Sequence, residues 1–324
     1  MDSIEKAMSG RPRGPIRTPP PASAPPPAPP PVRDVVERAA YLTGASPDVA
    51  VVAPSSARRT QQSVTLDFEQ IRAAGLLTPD TPRSRLKEEY RHIKRPLLIN
   101  ADGRGAMTVE HPNLVMVTSA RAGEGKTFTA CNLALSIASE RNRTVLLVDA
   151  DVIKPAVART LGFEAELGLV DYLADDRLEL ADVLVDANVP SLTILPAGSQ
   201  YHLSTELLAG ERMRQLAAEM SARYPDRIVI FDSPPLLMTT EASILASLMG
   251  QVLVVVEAER TPQAQVKEAL ALLHPGRIVG LVLNKSRAFL SADSYGYGYG
   301  YGYGHGYGQD GDEGPAKHKG KRAG

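Results

Sequence analysis

The feature that most constrains the fold is the stretch Val115–Thr127, which reads VMVTSARAGEGKT. Apolar and β-branched residues run directly into a loop of small residues that ends in Gly-Lys-Thr. A helical pattern over 128–140 follows at once. This order of strand, glycine loop and helix is the context that a phosphate-binding loop requires. The first glycine of the pattern G-x-x-x-x-G-K-T is replaced by Ala120, which is small enough for that position.

Each part of this loop predicts a contact with a nucleotide. Glycines permit a tight turn whose backbone N–H groups point at phosphate oxygens, and the dipole of the following helix adds to that attraction. Lys126 would reach the β- and γ-phosphates, and the Thr127 hydroxyl would ligate Mg²⁺. The sequence therefore predicts ATP and Mg²⁺ as cofactors. The predicted nucleotide-binding residues of the loop are Ala122, Gly123, Glu124, Gly125, Lys126, Thr127 and Phe128.

Short apolar runs recur after the loop and predict buried strands of a parallel sheet. They lie at 145–148, 192–195, 228–231, 252–256 and 278–283, and a long helical pattern spans 205–224. The alternation predicts an α/β fold of the P-loop NTPase type, with a mostly parallel open sheet and helices on both faces. Ligands of such sheets bind at the carboxyl ends of the strands.

Three aspartates follow two of these runs. Asp232 fits the Walker-B acid, which holds Mg²⁺ directly or through water. Asp149 and Asp151 would point the same way if the strand stays extended, and they could supply a metal contact and a base for an incoming hydroxyl. One aspartate after a strand is often only a helix cap. Three of them beside one phosphate loop predict a nucleotide site.

Both ends of the chain differ from its middle. Residues 11–32 contain eleven prolines and predict an extended spacer, with a ligand for a proline-binding domain as the alternative. We predict a mostly disordered N-terminal segment over 1–63, a P-loop domain over 64–287 and a disordered tail over 288–324.

The tail holds an unusual row of tyrosines that alternate with glycine. A phenol, with a pKa of about 10, needs a base or a metal to become a nucleophile. A flexible chain of about twelve residues spans on the order of 20 Å, so the row could reach its own phosphate site or a neighbour's. Either the row accepts phosphate or it serves self-association. The candidate phosphoacceptors are Tyr295, Tyr297, Tyr299, Tyr301, Tyr303 and Tyr307.

Residues 84–94, SRLKEEYRHIK, predict an exposed charged helix. Glu88, Arg91 and Lys94 recur every three residues and would lie along one stripe, where they can form ion pairs. The stripe is either a solvated face or a contact surface for a second copy of the chain.

Composition excludes several classes of function. The net charge of −1 gives no support for a nucleic-acid partner. The only cysteine, Cys131, excludes an internal disulfide and suits a reducing cytoplasm. No apolar run approaches the ~20 residues that span a bilayer, and no signal peptide is recognisable. We therefore predict a cytoplasmic protein for which any membrane attachment would come through a partner.

The order VTSARAGEGKT, VLLVDADVIKP, IVIFDSPP and a tyrosine-rich tail resembles the bacterial tyrosine autokinases. These are P-loop kinases associated with capsule and exopolysaccharide export. Residues 84–287 carry most of the resemblance. The stretches SIEKA and EEYRHIKRPLL resemble the subgroup found beside exosortase-type loci.

The resemblance implies a role for each matching residue. The implied catalytic residues are Lys126, Asp149, Asp151 and Asp232, the implied Mg²⁺ ligands are Thr127, Asp151 and Asp232, and the implied adenine contact is Asn284. The implied homo-oligomer, which could be a ring, would form through Glu88, Arg91 and Lys94.

Two positions depart from the family pattern. Lys94 stands where the family usually has arginine, which weakens bidentate pairing there. Ile153 stands where the second acidic motif usually has a basic residue, and Lys154 is next.

The implied activity is an ATP-dependent protein-tyrosine autokinase whose subunits phosphorylate one another's tails and regulate exopolysaccharide export. The implied partners are a separate membrane-embedded activator and a tyrosine phosphatase. A positioning or partitioning ATPase of the same fold is one alternative, although that class has lysine where this chain has Arg121. A non-catalytic nucleotide-binding scaffold is the other.

Overall fold

The computed structural model describes residues 62–199, 204–223 and 226–286. Within them, eight strands form one sheet in the spatial order β1-β4-β5-β3-β6-β2-β7-β8. Every neighbouring pair is parallel except β4 with β5. The predicted open, mostly parallel sheet is confirmed. The strands are β1 (Gln62–Val64), β2 (Leu114–Ser119), β3 (Thr144–Asp149), β4 (Val185–Ala187), β5 (Leu192–Leu195), β6 (Arg227–Asp232), β7 (Gln251–Glu257) and β8 (Ile278–Asn284).

Helices connect the strands and pack on both faces of the sheet. The helices of the described residues are α1 (Phe68–Ala73), α2 (Arg85–Ala101), α3 (Lys126–Ala138), α4 (Val157–Leu161), α5 (Leu169–Ala174), α6 (Leu180–Val183), α7 (Ser204–Ala209), α8 (Glu211–Arg223), α9 (Thr240–Leu248) and α10 (Gln263–Ala271). Among these helices, none combines the length and the apolar character that crossing a bilayer requires. The proline-rich segment, the SIEKA stretch and the tail tyrosines lie outside the described residues.

The central strand β2 is buried on both sides. Leu114 and Met116 belong to an apolar cluster that includes residues of α8 and α9, whereas Val115 and Val117 belong to one that includes residues of α2 and α3. Successive side chains of a strand point to opposite faces of its sheet. Cover on both faces therefore explains why these strands read as continuous apolar runs. Cys131 is buried in α3 among these apolar residues.

Two predicted helices have different bounds in the structure. The apolar residues over 64–77 have a helix-like spacing that predicts one helix. The structure differs, because β1 ends at Val64 and Asp67 then caps α1 by accepting the N–H groups of Glu69 and Gln70. The helix predicted over 205–224 is divided into α7 and α8 at Gly210, because glycine is unfavourable inside a helix.

Two other features were not predicted. Strand β4 pairs antiparallel with β5 and has only three residues, too few to show a pattern. Helix α2 continues past Lys94 to Ala101, although Pro96 lies inside it. Proline removes one helical hydrogen bond, and burial of the next residue, Leu97, in the core offsets that loss.

The predicted charged stripe is only partly exposed. Arg91 donates to Glu88 Oε2 over 2.8 Å on the surface of α2. Lys94, in contrast, is buried, and its Nζ lies 2.6 Å from the carbonyl of Ser136 and 2.7 Å from Glu140 Oε1. The prediction that Lys94 lies on an exposed face is therefore wrong, because the side chain bends toward the end of α3.

We expect Lys94→Met to destabilise the protein by about 1.5–3 kcal/mol, because it removes a charged hydrogen bond to a buried carbonyl. The matched control is Arg91→Met, which breaks an exposed ion pair on the same helix and should cost less than about 1 kcal/mol. Urea unfolding followed by circular dichroism measures both. Equal losses from the two substitutions would contradict the assignment of Lys94 to the interior.

Candidate active site

The phosphate-binding loop lies between β2 and α3. Gly123 and Gly125 have left-handed backbone angles, with φ of 86° and 96°. A Cβ on Gly125 would also lie 2.1 Å from Nδ2 of Asn284 and would displace that amide. The left-handed backbone and this close contact both favour glycine there. Helix α3 begins at Lys126, and the unpaired N–H groups of its first turn therefore border the loop.

One side of the loop is held by Glu124, which is buried although it is acidic. Its Oε2 accepts the N–H of Arg121 over 2.8 Å. Its Oε1 accepts from the hydroxyl of Thr261, which follows β7. The Glu124 side chain therefore stabilises the loop, and the predicted phosphate contact of this residue would be its backbone N–H group.

The end of β8 also bonds to the loop. Asn284 donates from Nδ2 to the carbonyl of Glu124 over 2.8 Å, and Lys285 donates from Nζ to the carbonyl of Gly123 over 2.7 Å. Lys285 also lies 3.2 Å from Glu257 Oε2. The predicted adenine residue Asn284 is thus beside the loop, and its amide N–H group already supports the loop backbone.

Lys126 lies among the three predicted carboxylates. Its Nζ contacts Oδ2 of Asp151 at 2.5 Å, and the exposed fractions of the two side chains are 11% and 4%. Burial by itself would lower the pKa of Lys126, but the charges of Asp232, Asp151 and Asp149 outweigh it and raise that pKa. The ammonium group therefore remains charged at neutral pH and can bind an anion.

Asp149 does not face the same way as Asp151. Strand β3 ends at Asp149, and the carboxylate Oδ2 accepts the N–H groups of Ala156 and Val157 over 3.0 and 2.9 Å. Burial raises the pKa of Asp149 to about 6, although these two N–H groups lower it. The two side chains are expected to be parallel only if the strand stays extended, and that condition is not met because β3 ends at Asp149. Asp149 stabilises the turn into α4, whereas Asp151 lines the cavity in front of the loop.

Asp232 is completely buried at the end of β6. Neither of its carboxylate oxygens has a hydrogen-bond partner among the described residues. Burial raises the pKa of Asp232 to about 7, although the Lys126 ammonium and the nearby Thr127 lower it. Two unpartnered acceptor oxygens beside a threonine hydroxyl fit a divalent cation.

The described residues supply only part of a metal coordination shell. Within the ranges described, no three His, Cys, Asp or Glu side chains come together as metal ligands. Mg²⁺ usually takes one or two protein carboxylates and completes its shell with water and substrate phosphates. The site therefore fits a cation that arrives with a nucleotide.

A cavity of about 410 Å³ opens in front of the loop. Asn284 does not line it and lies instead in a neighbouring cavity of about 530 Å³. Phe128, at the start of α3, lines both cavities. Outside the loop, the first cavity is lined by Asp151, Ile153, Lys154, Pro234, Pro235, Met238 and Thr239.

Sequence reasoning missed Thr261, Lys285 and Met238. Thr261 and Met238 lie in connections after strands, where no periodicity marks them. Lys285 could have been noticed only because it follows Asn284. Their positions depend on how separate connections meet at one edge of the sheet.

The loop, the sheet and the buried acids define a P-loop nucleotide-binding protein. The sequence profile of a family described as an AAA domain matches residues 113–273. Tyrosine-protein kinase YwqD of Bacillus subtilis is 34% identical over 206 residues, which cover 63% of this chain and 82% of YwqD. The solved VpsO kinase domain has 30% identity and a TM-score of 0.50, with 63% of this chain and all of that chain covered.

The chain belongs to the bacterial tyrosine-protein kinase family. The succinoglycan biosynthesis transport protein ExoP of Rhizobium meliloti is 32% identical over 244 residues, which cover 71% of this chain and 29% of ExoP. The chain spans less than a third of the length of several curated relatives that it matches.

The raised pKa of Asp232 predicts how its replacement changes stability with pH. The folded-state pKa of about 7 exceeds the ordinary value of 3.8, so the folded state loses stability as pH rises between these values. At pH 8, unliganded Asp232→Asn should melt roughly 3–10 °C above the unsubstituted protein, since 1 kcal/mol is worth a few degrees at this size. At pH 5 the gain should be smaller.

Differential scanning fluorimetry at both pH values tests this expectation. Exposed Glu164→Gln is the matched control and should show no such trend. A melting difference for Asp232→Asn that stays constant or shrinks from pH 5 to pH 8 would refute the ionisation argument.

Proposed function

We propose that this chain is an ATP-dependent protein-tyrosine autokinase that phosphorylates its own C-terminal tyrosines, between subunits, and regulates exopolysaccharide biosynthesis and export. The observation that carries the proposal is the pairing of Lys126 with buried acids at a phosphate loop in a chain that continues into a row of six tyrosines. Family membership supports the kinase activity. ExoP, by its name a biosynthesis transport protein, supports the link to polysaccharide export.

The order of the strands supports one orientation for the nucleotide. The phosphate loop follows β2, which lies between β6 and β7. Asn284 ends β8 on the β7 side, whereas Asp232 and Asp151 follow β6 and β3 on the other side. A nucleoside near Asn284 would direct its terminal phosphate across the loop toward these acids. The acceptor then enters from the β6 and β3 side.

In phosphoryl transfer, these residues would position the reacting groups and stabilise the phosphate charge. The phenol oxygen of a tyrosine forms a bond to the γ-phosphorus while the bond from that phosphorus to the β–γ bridging oxygen breaks, and its electron pair leaves with ADP. Lys126 and the loop N–H groups stabilise the phosphate charge. Asp151 lines the cavity and would accept the phenol proton. The Lys126–Asp151 ion pair must open for both residues to act.

Thr127 and Asp232 would hold Mg²⁺, with Asp151 as a further ligand, and the bound cation would offset phosphate charge. Asp149 would support the site indirectly, because its carboxylate stabilises the turn that precedes α4. We assign the catalytic domain to residues 64–287.

The proposed partners follow from the same family assignment. Second copies would dock through Glu88 and Arg91, which remain on the surface of α2. A separate membrane-embedded activator would hold the kinase at the inner membrane, and a tyrosine phosphatase would reverse the modification. The net charge of −1 argues against a nucleic-acid partner.

Incubation of the purified chain with Mg-ATP should add phosphate to tyrosines within 295–307. Intact-mass and peptide mass spectrometry measure the gain. Lys126→Met should abolish it, because the substitution removes the cation that binds the terminal phosphates. Deletion of 294–308 should abolish the gain and leave nucleotide binding intact.

Two outcomes would favour other functions. ATP turnover without any gain of mass on the tail, even with a membrane activator present, would favour a positioning-type ATPase. Nucleotide binding without turnover under the same conditions would favour a scaffold.

A further inference from the structure

We propose that Ile153, Pro235 and Met238 form a binding subsite for the aromatic ring of the acceptor tyrosine. The subsite rests on the proposed kinase function and specifies where the acceptor side chain would bind. The three side chains line the cavity of about 410 Å³ together with Lys126, Thr127 and Asp151. One cavity therefore holds both the candidate transfer groups and an apolar wall.

The side chains of Ile153 and Met238 are exposed although both are large and apolar. Their exposed fractions are 46% and 59%, and neither belongs to the two buried apolar clusters. Ile153 lies in the connection after β3 and Met238 in the connection after β6, and these strands are neighbours in the sheet. Two large apolar side chains from adjacent connections thus border the acid side of the loop, where they gain burial only when another molecule covers them.

The chemistry of a phenol matches this wall. Its ring is apolar and packs well against methionine and branched side chains, while its hydroxyl keeps a polar end. Asp151, which would accept the hydroxyl proton, lies at the same cavity. The N–H of Lys154 donates to Asp151 Oδ1 over 3.1 Å. This bond ties the connection that carries Ile153 to the carboxylate, so ring and proton acceptor are held by one turn.

The proposed acceptor segment is uncharged, as is the apolar wall of Ile153, Pro235 and Met238. Residues 294–308, SYGYGYGYGYGHGYG, contain no Asp, Glu, Lys or Arg. Glycine on either side of a tyrosine removes side chains that would obstruct entry into the cavity. Ile153 adds no charge to this side of the cavity, which suits an uncharged acceptor better than an acidic one. Serine has no ring, so the subsite also explains a preference for tyrosine.

The test measures steady-state phosphorylation of a synthetic peptide of residues 294–308 by the full-length chain with Mg-ATP. In the double variant Ile153→Ser with Met238→Ser, the KM for the peptide should rise about tenfold because the ring loses its apolar contacts. The kcat should change less than about threefold, since the groups that transfer phosphate are intact. The Kd for Mg-ADP should remain within about twofold, because the nucleotide contacts are also intact.

Two controls separate ring binding from a change in folding. The conservative double variant Ile153→Leu with Met238→Leu should restore the KM to the unsubstituted value. Leu272→Ser, which alters an exposed leucine after α10, should leave the KM unchanged.

Three outcomes would overturn the subsite. The KM of the serine double variant could equal that of the unsubstituted chain, or its Kd for Mg-ADP could weaken by the same factor as its KM. In both cases the unsubstituted chain still phosphorylates the peptide, so the kinase function stands and the subsite alone fails. Absence of any peptide phosphorylation by the unsubstituted chain, even with a membrane activator present, would remove the kinase function and the subsite together.

Discussion

The ammonium group of Lys126 keeps three buried carboxylates together at one edge of the sheet. Transfer of several like charges into a protein interior is unfavourable unless they are paired. One lysine cannot neutralise three acids. Burial raises the pKa values of Asp149 and Asp232, and repulsion between the acids adds a smaller increase. The site therefore favours additional positive charge. A cation that arrives with a nucleotide would stabilise both the complex and the folded state, because anything that binds only the folded protein stabilises it.

The strand order lets one edge of the sheet bring together residues that are far apart in the chain. The phosphate loop follows the central strand, the acids follow two strands on one side, and Asn284 follows a strand on the other. The cavity on the acid side has charged residues beside an apolar wall. The cavity on the Asn284 side is lined by polar, charged and apolar residues. In the proposed orientation, the donor and the acceptor of a phosphoryl group would approach one loop from opposite sides.

Much of this arrangement could be predicted from sequence, because strands buried on both faces leave continuous apolar runs and a phosphate loop has fixed spacing. The position of Asp232 after such a run followed from the same reasoning. The burial of Lys94 could not be predicted, and neither could which of the three aspartates bonds to the start of a helix, since both depend on which helix packs nearby. The antiparallel β4 is too short to leave a pattern. Met238 and Thr261 occupy connections, where only the assembled fold defines their neighbours.

The bonds from Asn284 and Lys285 to the loop carbonyls have a mechanical consequence. Among the described residues, these two are the last in the chain that bond to the loop. A displacement of either residue would therefore shift the carbonyl of Glu124 or of Gly123 and alter the loop that is expected to bind phosphate.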